Sequence, residues 1–317
     1  MPTTYDEAKM HMAEMSLAGF PGCIGSTDAT HVAMDSCAYK LRQSHSSFKL
    51  PYPARTYNIT VNHRRCILHS TGGHPARWND KTLQRFDNFM TGLQSGRLLN
   101  DVHFQLYDTN DNGDIIKVRY TGAWVIVDNG YLNVPTCIPP MKAALTREDE
   151  RWSQWVESMR KDVECTFGIM KKRWRILKHP IRLRGVETTD KVWRTCCALH
   201  NMLLESDGLN TEWTEGVPAG NASILDGSIS STAPFAISRL HNTTQICTPH
   251  VSCESYTDST RSTSSTEDAI MEVSFINENI VRNMSHTLFQ KKLIKHFDIC
   301  FKRNEIVWPQ QQEKSLV

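Results

Sequence analysis

The chain has 317 residues, room for one large or two ordinary domains, and 39% of them are hydrophobic, enough for a sizeable core over part of the length. Lys and Arg (36) nearly balance Asp and Glu (34), so the net charge of +2 says little about partners and the local distribution of charge matters more. No run approaches the ~18 apolar residues of a membrane span, the stretch Met1–Asp6 lacks the basic-then-apolar pattern of a secretory signal, and the 10 cysteines contain no CxxC pair, which argues for reduced, mostly buried thiols in an intracellular protein without a membrane role.

Tyr5–Leu17 reads as one short helix ending near Gly19, and Gly22–Met34 as a strand with an acid, Asp28, at its centre. Residues 35–54, polar and interrupted by Pro51 and Pro53, suit a loop. Thr56–Asn62 alternates like a half-buried strand, and Cys66–Ser70 reads as its partner across the basic turn His63-Arg64-Arg65. Leu83, Phe86, Phe89 and Met90 recur near helical spacing, which predicts a helix over Lys81–Leu93 with Asp80 as its N-cap. Asp108–Asp114 is similar to the start of a calcium loop, but Arg119 stands where the bidentate glutamate belongs, so a hairpin turn before an Ile115–Tyr120 strand is expected. Ala123–Val127 is a short apolar strand that delivers Asp128 and breaks at Gly130. Pro135–Pro140 reads as a rigid loop. Arg147–Trp174, with no proline and one glycine, reads as a long helix carrying Glu164, and Asp190–Leu204 as another helix. Residues 207–270 are rich in Ser, Thr, Asn and Gly and cannot bury enough apolar surface to fold alone. Near Ser285 an amphipathic helix begins, with Leu288, Phe289, Leu293, Ile294 and Phe297 between lysines, and it is expected to dock a partner.

Strand with acid, two paired strands, helix, further strand, strand ending on an acid, loop, long helix with acid: this order describes an α/β fold with a ribonuclease-H-like mixed sheet flanked by helices. The expected organisation is a short N-terminal helical remnant (1–20), the nuclease domain (21–205), a disordered Ser/Thr-rich linker (206–272) and a C-terminal helical tail (273–317). Three carboxylates on separate elements suit phosphodiester cleavage. Water is a poor nucleophile and the 3′-oxygen a poor leaving group, and two divalent ions about 3.5–4 Å apart can activate one and stabilise the other. Such hard ions want oxygen ligands. Asp28, Asp128 and Glu164 are the candidates for catalysis and for holding two Mg²⁺ or Mn²⁺ ions. Asp80 is a helix cap by this reading, with a metal-site or DNA-strand role as the alternative.

The motifs around these acids carry a resemblance. Ile24–Val32 resembles the first-acid motif of PIF/Harbinger-type transposases, an aspartate followed by a small residue, Thr and His. Val125–Tyr131 resembles the second, an aspartate followed by a small or polar residue, Gly and Tyr, with Asn129 where Ser is more usual. Arg160–Trp174 resembles the third, with its acid, Phe-Gly pair and Lys/Arg-aromatic ending, and Leu199–Leu203 resembles the helix that follows. Between Asp128 and Glu164 lie 35 residues, close to the separation usual in these DDE enzymes. The resemblance covers roughly residues 20–205. It implies a metal-dependent nuclease and transposase that nicks DNA with activated water and joins the freed 3′-hydroxyl to target DNA. A nuclear location, a separate Myb-like DNA-binding partner and a homo-oligomer fit the same resemblance. Members carry an N-terminal helical region that can bind DNA, whereas only residues 1–20 precede the first motif, so a truncated copy or an incomplete gene model is expected. The rival reading is a domesticated derivative that binds DNA or protein and no longer cuts.

Around the third acid, Arg160, Lys161, Lys171, Lys172, Arg173 and Arg175 outnumber Asp162 and Glu164, which favours contact with a phosphate backbone. Trp174 is expected to pack in the core rather than stack on a base, and His31 to be structural, with a contact behind the metal site as its alternative.

Overall fold

The computed structural model describes residues 2–48, 50–206 and 279–306. In chain order these form α1 (Tyr5–Leu17), β1 (Cys23–Ala33), α2 (Tyr39–His45), β2 (Ala54–Val61), β3 (Ile67–Ser70), β4 (His74–Pro75), α3 (Asp80–Phe86), α4 (Asn88–Ser95), β5 (His103–Thr109), β6 (Ile115–Thr121), β7 (Trp124–Ile126), β8 (Cys137–Ile138), α5 (Arg147–Arg173), α6 (Arg175–Lys178), α7 (Val186–Ser206), β9 (Asn279–Ile280) and α8 (His286–Lys302).

The main sheet runs β3-β2-β1-β7-β8, with β4 also paired to β2. β2 is antiparallel to β1 and to β3, whereas β7 lies parallel to β1 and β8 parallel to β7. This is the mixed, ribonuclease-H-like sheet expected from the element order. Parallel strands need a long crossover, and the chain between β3 and β7 supplies it with α3, α4 and the β5–β6 hairpin. That hairpin joins a second sheet, β5-β6-β9, rather than the main one.

The register of the central pair positions the chemistry. Ser26 of β1 stands opposite Ile126 of β7. Two residues further along each chain come Asp28 and Asp128. Because side chains repeat every second residue along a strand, both acids arrive level with each other, on one face, from adjacent strands.

Two apolar clusters fill the molecule. One gathers Phe20, Ile24, Trp124, Trp152, Met159, Phe289 and Phe297; the other gathers Val32, Tyr57, Val163, Met170 and Trp193. α5 serves both, with Trp152, Val156 and Met159 in the first and Val163 and Met170 in the second. Arg160 falls at the seam and Glu164 just past it. The capping box of Thr146 and Asp149 starts this helix, and Trp193 on α7 stacks on Tyr57 with ring centroids 4.6 Å apart.

Several expectations change. α2 occupies part of the span read as loop. The single helix expected over Lys81–Leu93 is two, broken at Asp87, whose side chain accepts from the N–H groups of Phe89 and Met90 and so starts α4 afresh. β8 forms within the Pro135–Pro140 stretch. The apolar face of the C-terminal helix, expected to dock a partner, packs on this chain itself: Phe289, Leu293 and Phe297 of α8 are buried against Phe20, Tyr120 and Trp124, and Lys292 and Lys295 bind Asp108. Burying each such phenylalanine contributes about 1.5–3 kcal/mol, so α8 shares the core that packs on β7. The linker expected over residues 206–272 lies outside the described residues apart from Ser206, which ends α7.

Candidate active site

Asp28 sits on β1, half-buried, with Oδ1 accepting the N–H of Ala29 at 2.7 Å. Asp128 follows β7, and its Oδ1 accepts the N–H of Gly130 at 2.7 Å, a turn that fixes the carboxylate at the strand end. A Cβ built on Gly130 would lie 2.5 Å from Asp80 Oδ2 and 2.9 Å from Asp128 Oδ1. Both oxygens therefore press on the same side of residue 130, and only glycine leaves them room. Asp80 reaches this point from the first turn of α3. The cap of that helix is Asn79, whose side chain accepts from the N–H of Thr82 at 2.9 Å. The expectation of Asp80 as N-cap is thus corrected, and its carboxylate joins Asp28 and Asp128.

The electrostatics report the convergence. Burial pushes the Asp28 carboxyl up to about 7; the Ala29 N–H opposes this, Asp128 adds to it, Arg160 opposes it and Asp80 adds to it. The buried Tyr131 phenol is pushed well above its usual value, first by burial and then by Asp28, Asp80 and Asp128. Tyr131 therefore stays a hydroxyl and donates a hydrogen bond to Asn58 Oδ1 at 2.6 Å. Asn58 Nδ2 in turn donates to Asp87 Oδ2 at 2.6 Å, and His69 Nε2 lies 3.1 Å from Asp87 Oδ1. This chain of polar groups anchors the Asp128–Tyr131 turn to β2 and α4. The sequence reading missed it; the one signal was a tyrosine directly after the Asp-Asn-Gly turn.

Glu164 is held differently. Its side chain is 46% exposed, and Arg160 NH1 lies 2.7 Å from its Oε1 while NH2 lies 2.6 Å from Glu157 Oε1. The helical spacing of i and i+4 makes this pairing local. Asp28, Asp80 and Asp128 thus form the acidic cluster, and Arg160 stands between it and Glu164.

The basic residues around Glu164 do not act as one surface. Lys161, Lys172 and Arg175 are exposed. Arg160 is engaged by the two glutamates. Lys171 is half-buried, donates to Thr30 Oγ1 at 2.9 Å, and burial lowers its pKa. Arg173 lies over the Trp174 ring at 5.7 Å, and Trp174 packs against the second apolar cluster, as expected. His31 Nδ1 lies 2.7 Å from Thr56 Oγ1, its cross-strand partner on β2, a structural contact. At the β5–β6 turn burial raises Asp108, but the ammonium groups of Lys292 and Lys295 outweigh it and hold the carboxyl down at about 2.

Three carboxylates are the hard oxygen donors that a divalent cation of the Mg²⁺ kind takes, and their mutual repulsion is what such a cation relieves. Among the described residues no three His, Cys, Asp or Glu side chains are gathered tightly enough to enclose an ion as they stand.

A mixed sheet of this order, with one acid on β1 and one just past β7, is the ribonuclease-H-like arrangement. A family model described as DDE superfamily endonuclease matches residues 27–201, from the residue before Asp28 to beyond Glu164. The chain belongs to that family. It is also similar to "Protein ALP1-like" of Arabidopsis thaliana, 20% identical over 212 residues that make up 65% of this chain and 48% of the relative. The chain thus spans about half the length of the curated relative it matches. No solved structure matches it.

Proposed function

We propose that the chain is a metal-dependent DNA endonuclease of the PIF/Harbinger transposase type. The observation that carries this is the meeting of Asp80 from α3 and Asp128 from the end of β7 at Gly130, with Asp28 of β1 level with Asp128 and within electrostatic reach of both. A pair of Mg²⁺ or Mn²⁺ ions, when bound, supplies an activated water and neutralises charge on the leaving 3′-oxygen. Asp28 and Asp128 would hold them jointly, Asp80 would add an oxygen from the α3 side, and Glu164 would complete the set after leaving Arg160. The Tyr131–Asn58–Asp87 chain keeps the Asp128 turn in place. On this reading the site acts in the nucleus on DNA, beside a separate Myb-like DNA-binding protein and as a homo-oligomer, and Lys161, Lys172 and Arg175 meet phosphates. The test is Mg²⁺-dependent cleavage of plasmid DNA by the purified chain. Asp128→Asn removes cleavage while circular dichroism stays unchanged; cleavage at the wild-type rate by that variant overturns the assignment.

A second reading, a derivative that binds DNA or protein without cutting, is favoured by one observation, the engagement of Glu164 by Arg160. Calorimetric titration with Mn²⁺ separates the two: heat that disappears in Asp128→Asn supports the nuclease, and no heat in the wild-type chain supports the derivative.

A further inference from the structure

Beside Asp80, and ending on the last residue of the helix that carries it, three aromatic rings are arranged as a ladder. His74 of β4 stacks on Trp78 with centroids 5.0 Å apart and planes at 21°, and Trp78 meets Phe86 at 4.7 Å and 33°. The ladder runs outward. His74 and Trp78 are half-buried, whereas Phe86, the last residue of α3, is 57% exposed. Among the described residues more than half of Phe86 stays open to solvent, and its ring continues an ordered stack rather than standing alone.

The surroundings give the charge of what covers it. Arg77, Lys81 and Arg85 are exposed. Arg77 directly precedes Trp78, Arg85 directly precedes Phe86, and Lys81 and Arg85 share a face of α3 four residues apart. No carboxylate among the described residues forms an ion pair with any of the three, in contrast to Arg160, Arg55 and Arg64, which are each claimed by an acid. The acids nearby are otherwise committed: Asp80 faces Gly130 and Asp87 is enclosed by Asn58 and His69.

A flat apolar face bordered by unpaired cations fits a ligand with a planar ring and a phosphate. Resting on the endonuclease reading above, we infer that His74, Trp78 and Phe86 form a stacking platform for an unpaired DNA base beside the bond to be cut, with Arg77, Lys81 and Arg85 on the adjoining phosphates. Every base has a π-face, so such a platform takes single-stranded or splayed DNA irrespective of sequence, and it has no use for a paired base inside a duplex. The site then acts on ends that are opened next to the scissile phosphate.

The test uses the full chain and three fluorescein-labelled DNAs of equal length: single-stranded, forked with a splayed end, and fully paired with blunt ends. Binding is read by anisotropy in Ca²⁺, and 2-aminopurine at the first unpaired position of the fork reports stacking by quenching. Phe86→Ala should weaken the forked and single-stranded complexes about tenfold, the scale of one base–aromatic stack, relieve the quenching, and leave the blunt duplex within a factor of two. Phe86→Tyr should restore both signals. Equal loss on all three DNAs, or no loss of quenching, overturns the platform. Its failure is separable from that of the nuclease reading. Wild-type cleavage in Mg²⁺ with a Phe86→Ala variant that binds the fork normally sinks the platform alone. Base quenching through Phe86 in a chain that never cleaves sinks the nuclease alone and supports the platform.

Discussion

Two acidic regions of this fold, Asp87 on one side and Asp28 with Asp80 and Asp128 on the other, behave oppositely. Asp87 is fully buried, yet its carboxyl is held below the usual range: burial works against ionisation, and His69, Asn58 and the Met90 N–H outweigh it. Asp28 is less enclosed and is pushed up to about 7. The difference is not depth but company. Donors surround Asp87, so its charge is satisfied by the protein itself. Asp28 faces Asp128 and Asp80, with one backbone N–H and the shared Arg160 to offset them. An acid completed by the fold holds structure together; acids left facing one another are suited to a cation from outside.

The contrast can be broken most sharply by swapping chemistry at each region. Asp128→Asn should reduce Mg²⁺-dependent cleavage to background with the fold retained, read by a plasmid nicking assay and far-ultraviolet circular dichroism. Asp87→Ala should do the reverse kind of damage and cost about 3–5 kcal/mol of stability, because it strands the Asn58 amide and the Phe89 and Met90 N–H groups in the core; urea unfolding measures it, and a loss under about 1 kcal/mol would mean that the network is not structural.

The link between the regions and α5 is Arg160. Arg160→Gln frees Glu164 and removes a cation beside Asp28, so Mn²⁺ affinity by calorimetry should rise several-fold; an unchanged or weaker affinity would show that Arg160 supports the site rather than competing with metal.

The pH dependence carries the same distinction with opposite signs. The native Asp28 keeps its proton up to about 7, whereas the unfolded chain loses it near 3.8. Between these values the folded state binds more protons, so metal-free stability from this group falls as pH rises. Asp87, with a depressed native pKa, contributes stability present above 3.8 and lost as pH falls through its native value. Thermal melts in EDTA should therefore show Asp28→Asn gaining a few degrees over wild type at pH 7 and little at pH 4, with Mg²⁺ removing the gap. No gain at pH 7 would place Asp28 among the satisfied acids. The smallest expected effect is that of Tyr131→Phe, which deletes one hydrogen bond to Asn58 and should cost about 1 kcal/mol by urea unfolding, with Asp128 turnover lowered in step.

Much of the site was legible in the chain because strands write their acids locally. A short apolar run ending at Asp128 before Gly130, and a strand with Asp28 at its centre, carry their own signals of period and breaker. The break at Asp87 was not legible, since Leu83, Phe86, Phe89 and Met90 keep helical spacing straight through it, and only the capping bonds to Phe89 and Met90 show that the backbone restarts. Asp80 was misjudged for a related reason: Asn79 and Asp80 are both competent caps, and their sequence alone does not say which side chain turns back to the helix.

The sequence by itself determined the element order, the mixed sheet and the two strand-borne acids, because periodicity and turn residues are properties of neighbours in the chain. Only the tertiary structure decided the rest. It brought Asp80 across to Gly130, folded α8 into the core, and gathered His74, Trp78 and Phe86 into one stack. Those outcomes depend on which distant groups share a space, and on burial and charge that exist only once they do.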